Sequence, residues 1–124
     1  MFFAYWMVLV AALLPYIAVS YAKAGGSDNR APRLHADTLT GPRRRAEWAH
    51  RNHFESFPAF AAAIIIAGIT GVPHGTMNLL AGAFVAARIL YTLAYIGDRP
   101  TLRSVLFIAG TLCIVGLFVA AGLA

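Results

Sequence analysis

Arg43-Arg44-Arg45-Ala46-Glu47-Trp48-Ala49-His50-Arg51-Asn52-His53-Phe54-Glu55-Ser56-Phe57-Pro58-Ala59-Phe60 is the stretch from which the rest of the chain can be read. It opens as the most charged segment of the protein and enters an apolar run, Ala59 to Ala67, that carries no charge. If it is helical, Trp48, Arg51, Asn52 and Glu55 recur at three- and four-residue spacing and share one face. Ionisable groups at the edge of a hydrophobic span are costly unless partners or a ligand satisfy them. That face is the first candidate for chemistry.

Composition sets the solvent. Of 124 residues, 60% are hydrophobic and 12% charged, about half the charged fraction of an ordinary soluble domain. Every Asp, Glu, Lys and Arg lies between Lys23 and Arg103, and none falls between Glu55 and Arg88. This is the rim and loop charge of a membrane protein. The net charge of +5 does not indicate nucleic acid, because no basic face alternates with exposed aromatics over a soluble fold. A single cysteine, Cys113, excludes an intrachain disulfide and a cysteine metal cluster. His35, His50, His53 and His74 do not make a metal set. The run from Met1 to Ala22 lacks a basic leader and is long for a signal peptide, so it reads as a retained membrane helix.

The patterning predicts an all-α integral membrane protein, one four-transmembrane-helix bundle over residues 1–124. The helices are expected at about 1–22, 42–70, 76–96 and 101–123. Pro15 predicts a kink or gap in the first helix that a neighbour covers. A polar connection occupies about 23–41 and contains the turn-rich stretch Gly25 to Arg33. Thr40-Gly41-Pro42 is a helix start. Pro58 lies inside the second helix and would free a carbonyl near Phe54 or Glu55. Gly71 to Gly75 and Gly97 to Pro100 are turns. Gly110, Gly116 and Gly122 would let the fourth helix approach its neighbours closely. Lys and Arg crowd the 23–41 connection, the adjoining helix ends and the 97–100 turn. Both connections are therefore expected in the cytoplasm, with both termini on the opposite side. The Arg43–Arg45 run reads as a solvated or lipid-headgroup contact.

Two helical faces then meet at one membrane side. Arg51, Asn52 and Glu55 occupy the second helix; Arg88, Tyr91, Thr92 and Tyr95 follow i, i+3, i+4, i+7 spacing on the third. Arg103 and Ser104 open the fourth at the same level. Together they suit a small zwitterion bearing carboxylates and an amine, since Arg grips carboxylates and Glu55 can take an ammonium. Structural readings stand beside this one. Arg51 and Glu55 are spaced for an i,i+4 ion pair, and Arg88 could be satisfied by an interior partner such as Glu55.

The motif R-A-x-x-A-H-R-N-x-x-E (Arg45–Glu55), followed by A-R-I-L-Y-T-L-A-Y-I-G (Ala87–Gly97) and L-R-S-V (Leu102–Val105), resembles the MAPEG family, the membrane-associated proteins of eicosanoid and glutathione metabolism. The resemblance covers about Arg43 to Cys113. It implies a homotrimer of four-helix bundles, with glutathione held between subunits near the cytoplasmic face and a hydrophobic small-molecule substrate entering from the lipid bilayer. Carried over by position, Arg51, Asn52, Glu55, Tyr91 and Tyr95 would contact glutathione. Arg103 or Ser104 would lie near its thiol, and Arg88 would support the site from within the bundle. The chain departs from the family pattern at Arg44, at Trp48, where another arginine is common, and at Tyr91, where the prostaglandin synthase group has histidine. The expected function is a glutathione-dependent transferase or peroxidase; the alternative is a non-catalytic membrane binding or structural protein. The compact, Ala-rich chain points to a bacterial inner membrane.

Overall fold

The computed structural model describes residues 1–26 and 30–124; residues 27–29 of the turn-rich stretch lie outside the described residues. The chain is all-helical: α1 (Phe3–Lys23), α2 (Pro32–Ala36), α3 (Gly41–Thr70), α4 (His74–Ile96) and α5 (Pro100–Leu123). All but the short α2 are long and apolar enough to cross a membrane, and the protein is an integral membrane protein. Short turns reverse the chain between α3, α4 and α5. Gly71 ends α3 in the left-handed region (φ 83°), and the Val72 N–H returns to the Ala67 carbonyl. That αL stop favours glycine because no Cβ opposes it.

The bundle packs α1 along α3 and α4 along α5, with α3 also reaching α4 and α5 and α1 reaching α4. Its core is built from small residues around two stacked rings. Phe60 and Phe84 lie 4.0 Å apart, bordered by Ala63, Ile64, Ala67, Met77, Ala81 and Leu117. In lipid, burial of apolar surface does not drive helices together, so close packing of small side chains must. Gly110 brings α5 against the Phe84 ring and the Arg88 stem, and Gly116 brings it against Leu80. Gly122, expected to do the same, faces open space.

Polar groups tie the two ends. At one, the Asn78 Oδ1 accepts the otherwise unpaired Ala4 N–H at 3.0 Å, and Phe2 stacks on His74. At the other, the three consecutive arginines are not the solvated run expected from sequence. Arg43 donates to the Ala22 carbonyl in the last turn of α1 and to the Gly26 carbonyl beyond it, Arg44 to the Ala36 carbonyl ending α2, and Arg45 to the Ile96 carbonyl ending α4. Successive helical residues point about 100° apart, so three in a row reach three different neighbours. Each reaches a last-turn carbonyl at the negative end of a helix, Ala22, Ala36 or Ile96. The described residues on either side of 27–29 are therefore clamped to the bundle at Gly26 and Ala36, and Leu39 is buried with Ala22 and Ala46. Arg45→Met should cost about 1 kcal/mol by leaving the Ile96 carbonyl without its donor. Thermal unfolding in detergent measures it, and an unchanged midpoint would refute the clamp.

Two prolines sit inside helices. Pro58 leaves α3 continuous from Gly41 to Thr70. At Pro15, α1 also continues from Phe3 to Lys23, and the His50 Nδ1–H of α3 meets the Pro15 carbonyl itself at 2.7 Å, not the Ala11 carbonyl that the missing Pro15 N–H leaves free.

Candidate functional site

The clamped end positions three helices for a common purpose. On α3, one face carries Trp48, Arg51, Asn52 and Glu55; on α4, Tyr91 and Tyr95 stand one turn apart with rings 5.6 Å apart, edge to face. These six residues line one hollow of about 430 Å³. A second hollow of about 370 Å³ is lined by Tyr91, Tyr95, Arg103, Ser104, Phe107 and Ile108. The two tyrosines belong to both, so α3, α4 and α5 share one open groove, to which α5 adds Arg103 and Ser104 beside the apolar Phe107 and Ile108. Arg51, Asn52, Glu55, Tyr91, Tyr95, Arg103 and Ser104, all expected at the site from sequence, line it together.

Arg88, the remaining candidate, lies behind the groove. It is 2% exposed, with its guanidinium 4.1 Å from the centre of the Tyr91 ring. Its expected partner Glu55 is not the one it uses. Arg88 Nη2 donates to Asn52 Oδ1 at 2.8 Å, and Nε and Nη2 lie 3.3 and 3.1 Å from His53 Nδ1. Neutral acceptors and an aromatic face satisfy this buried cation, and the carboxylate stays free for the groove. Glu55 accepts only from Asn52 Nδ2, at 3.3 Å, among the described residues.

Arg51 also departs from expectation. The i,i+4 pair that forms runs to Glu47, at 3.0 Å, while Asp37 after α2 takes another guanidinium nitrogen at 3.0 Å. Arg51 thus reaches the groove with much of its charge answered by carboxylates on its other side. Beyond it lies a larger cavity, about 590 Å³, between α1, the α2 segment and α3. Arg51 is the residue common to that cavity and the groove.

Arg103 is the opposite case. Its guanidinium rests 4.6 Å from the Tyr95 ring centre, and no carboxylate pairs with it among the described residues. Cation–π contact leaves its charge available to a ligand. The groove therefore offers a cation without a carboxylate, a lightly bonded carboxylate, two phenols and the Ser104 hydroxyl, beside an apolar rim. Such a set binds a zwitterion and can stabilise negative charge developing near Arg103.

Sequence reasoning missed three participants. Glu47 has a visible signal, sitting four residues before Arg51 on the same helix. Asp37 has none, because it arrives through tertiary folding. His53, 3% exposed, reads from the sequence only as a rejected metal ligand; its ring instead joins α3 to α4 through Arg88 and Thr92, with Nε2 2.8 Å from Thr92 Oγ1. His50 serves Pro15, so the two histidines have separate partners.

Among known proteins, the family model described as MAPEG family matches residues 3–123, nearly the whole chain. In a comparison with curated proteins, nothing matches the chain.

Proposed function

This chain belongs to the MAPEG family, and from that membership we propose that it is a glutathione-dependent transferase or peroxidase acting on lipophilic electrophiles. The observation that carries the reading is the continuous groove at the basic end of the bundle, where polar donors from α3, α4 and α5 meet an apolar rim.

The donor set fits glutathione. Glu55 suits the ammonium; Arg51 and Asn52 suit a carboxylate beside it; the Tyr91 and Tyr95 hydroxyls suit the peptide backbone. When bound, glutathione supplies a thiol that attacks an electrophile. Arg103 and Ser104 favour the ionised sulfur by charge and hydrogen bonding. Phe107 and Ile108 give that end of the groove an apolar wall beside Arg103 and Ser104, along which a substrate dissolved in the bilayer reaches it. The same reading makes the protein a homotrimer with the groove at a subunit boundary. It also puts the clamped end in the cytoplasm, since Lys23, Arg43–Arg45 and Arg99 crowd there.

Glutathione titration of detergent-purified protein, following thiolate absorbance across pH, tests the reading. Saturable binding with the thiol ionised near neutrality supports an enzyme. No binding at millimolar glutathione would overturn it in favour of a non-catalytic membrane protein. Glu55→Gln should weaken binding roughly tenfold, the scale of one charge-assisted hydrogen bond, without changing the unfolding midpoint. A midpoint that falls together with affinity would make Glu55 structural.

A further inference from the structure

His53 is buried between α3 and α4 and lines neither hollow of the groove, its ring meeting only the back of Tyr91 edge-on at 6.4 Å. Its bonding nevertheless allows one proton arrangement. A guanidinium has donors only, so His53 Nδ1, facing Arg88 Nε and Nη2, must be the acceptor. The ring proton is then on Nε2 and is donated to Thr92 Oγ1, whose own hydroxyl proton goes to the Arg88 carbonyl at 2.9 Å. The reverse tautomer would set an N–H against the guanidinium and leave Thr92 facing a bare nitrogen, so only the Nε2–H form fits these contacts.

The consequence passes outward. Arg88 Nη2, held against His53, also donates to Asn52. That contact requires the amide oxygen of Asn52 to face Arg88. The amide NH2 therefore faces Glu55, where it is donated to Oε2. A flipped amide would set oxygen against carboxylate and NH2 against guanidinium, two repulsive contacts in place of two bonds.

We propose that His53 is a positioning residue. As the neutral Nε2–H tautomer it fixes Arg88, Arg88 fixes the Asn52 amide, and that amide holds the Glu55 carboxylate in place to receive the ammonium of the bound peptide. This rests on the glutathione reading and adds to it the origin of selectivity for an amine-bearing ligand. His53 contacts no ligand, so its effect appears as discrimination between ligands.

The ligand test uses glutathione and glutaryl-cysteinylglycine, which is glutathione without its amine. Wild-type protein should prefer glutathione by roughly tenfold or more, the scale of a charge-assisted contact. Asn places an amide oxygen where His53 has Nδ1, so His53→Asn should keep the preference. His53→Gln carries its amide further out, serves Thr92 and withdraws the acceptor from Arg88; it should lose the preference while still binding the amine-free peptide. A His53→Gln protein with undiminished preference would overturn the proposal. So would equal weakening of both peptides, which marks a merely structural residue, or a wild-type protein that binds both equally.

A ligand-free arm separates failure of the proposal from failure of the glutathione reading. In protein labelled with 15N at histidine, the His53 ring should show a protonated Nε2 and a bare Nδ1, assigned by its loss in His53→Asn. The Asn52 side-chain amide resonances should shift in His53→Gln and hold in His53→Asn. The reverse tautomer, or unmoved amide resonances, overturns the positioning role even if glutathione binds. Wild-type protein that binds neither peptide overturns the glutathione reading, and the spectra still decide the His53 network.

Discussion

Arg88→Met should destabilise the bundle by about 2–3 kcal/mol, because it strands two acceptors built around one cation. Arg88 is the largest side chain in the interior, and its guanidinium serves both His53 Nδ1 and Asn52 Oδ1. Methionine fills much of the volume but donates nothing, so a buried imidazole nitrogen loses its partner. Part of the loss is offset, since a cation no longer has to be kept out of water. The diagnostic outcome is a double variant. Arg88→Met combined with His53→Leu removes donor and acceptor together and should be more stable than Arg88→Met alone, a coupling of the kind contacting residues show. Denaturant unfolding in detergent measures both. Losses that simply add would mean that Arg88 acts through packing and not through His53.

Arg103→Leu should lower turnover roughly hundredfold, the scale for removing one group that stabilises developing negative charge, while peptide affinity changes far less. The asymmetry between the two groove arginines leads to this expectation. Arg51 is answered by Glu47 and Asp37; Arg103 rests on the face of Tyr95 with no carboxylate beside it among the described residues and keeps its field for the groove. Arg103→Lys preserves the charge without the planar fork and should retain an intermediate rate. Turnover with an activated aryl chloride, read beside thiolate absorbance of the bound peptide, checks it. An unchanged thiolate yield in Arg103→Leu would move the anion-stabilising role elsewhere in the groove, with Ser104 the next group to replace.

Much of the groove is legible in the sequence, and for a local reason. Trp48, Arg51, Asn52 and Glu55 share a face by helical spacing alone, as do Tyr91 and Tyr95, so a helix assignment already groups them. The meeting of Arg103 and Ser104 with the tyrosines also follows from topology, because a short turn after α4 must start α5 at the same level. The partners of these groups are not legible in the same way. Arg51 has carboxylates within reach at both Glu47 and Glu55 by spacing, and only the rotation of α3 against α1 and the α2 segment selects Glu47 and adds Asp37. Arg88 likewise could reach several residues of α3, and the depth at which α4 packs selects His53 and Asn52 over Glu55.

Composition and periodicity were enough to set the solvent, the number of spans and the end of the bundle that carries the polar chemistry. Each of those depends on residue content or on spacing along one helix, which folding does not alter. Helix packing was needed to establish that Arg43, Arg44 and Arg45 close three different helix ends, that His53 and not Glu55 faces Arg88, and that two tyrosines join two hollows into one groove. Those outcomes depend on how far one helix is turned and slid against another. Many side-chain packings set that relation together, and no single stretch of sequence records it.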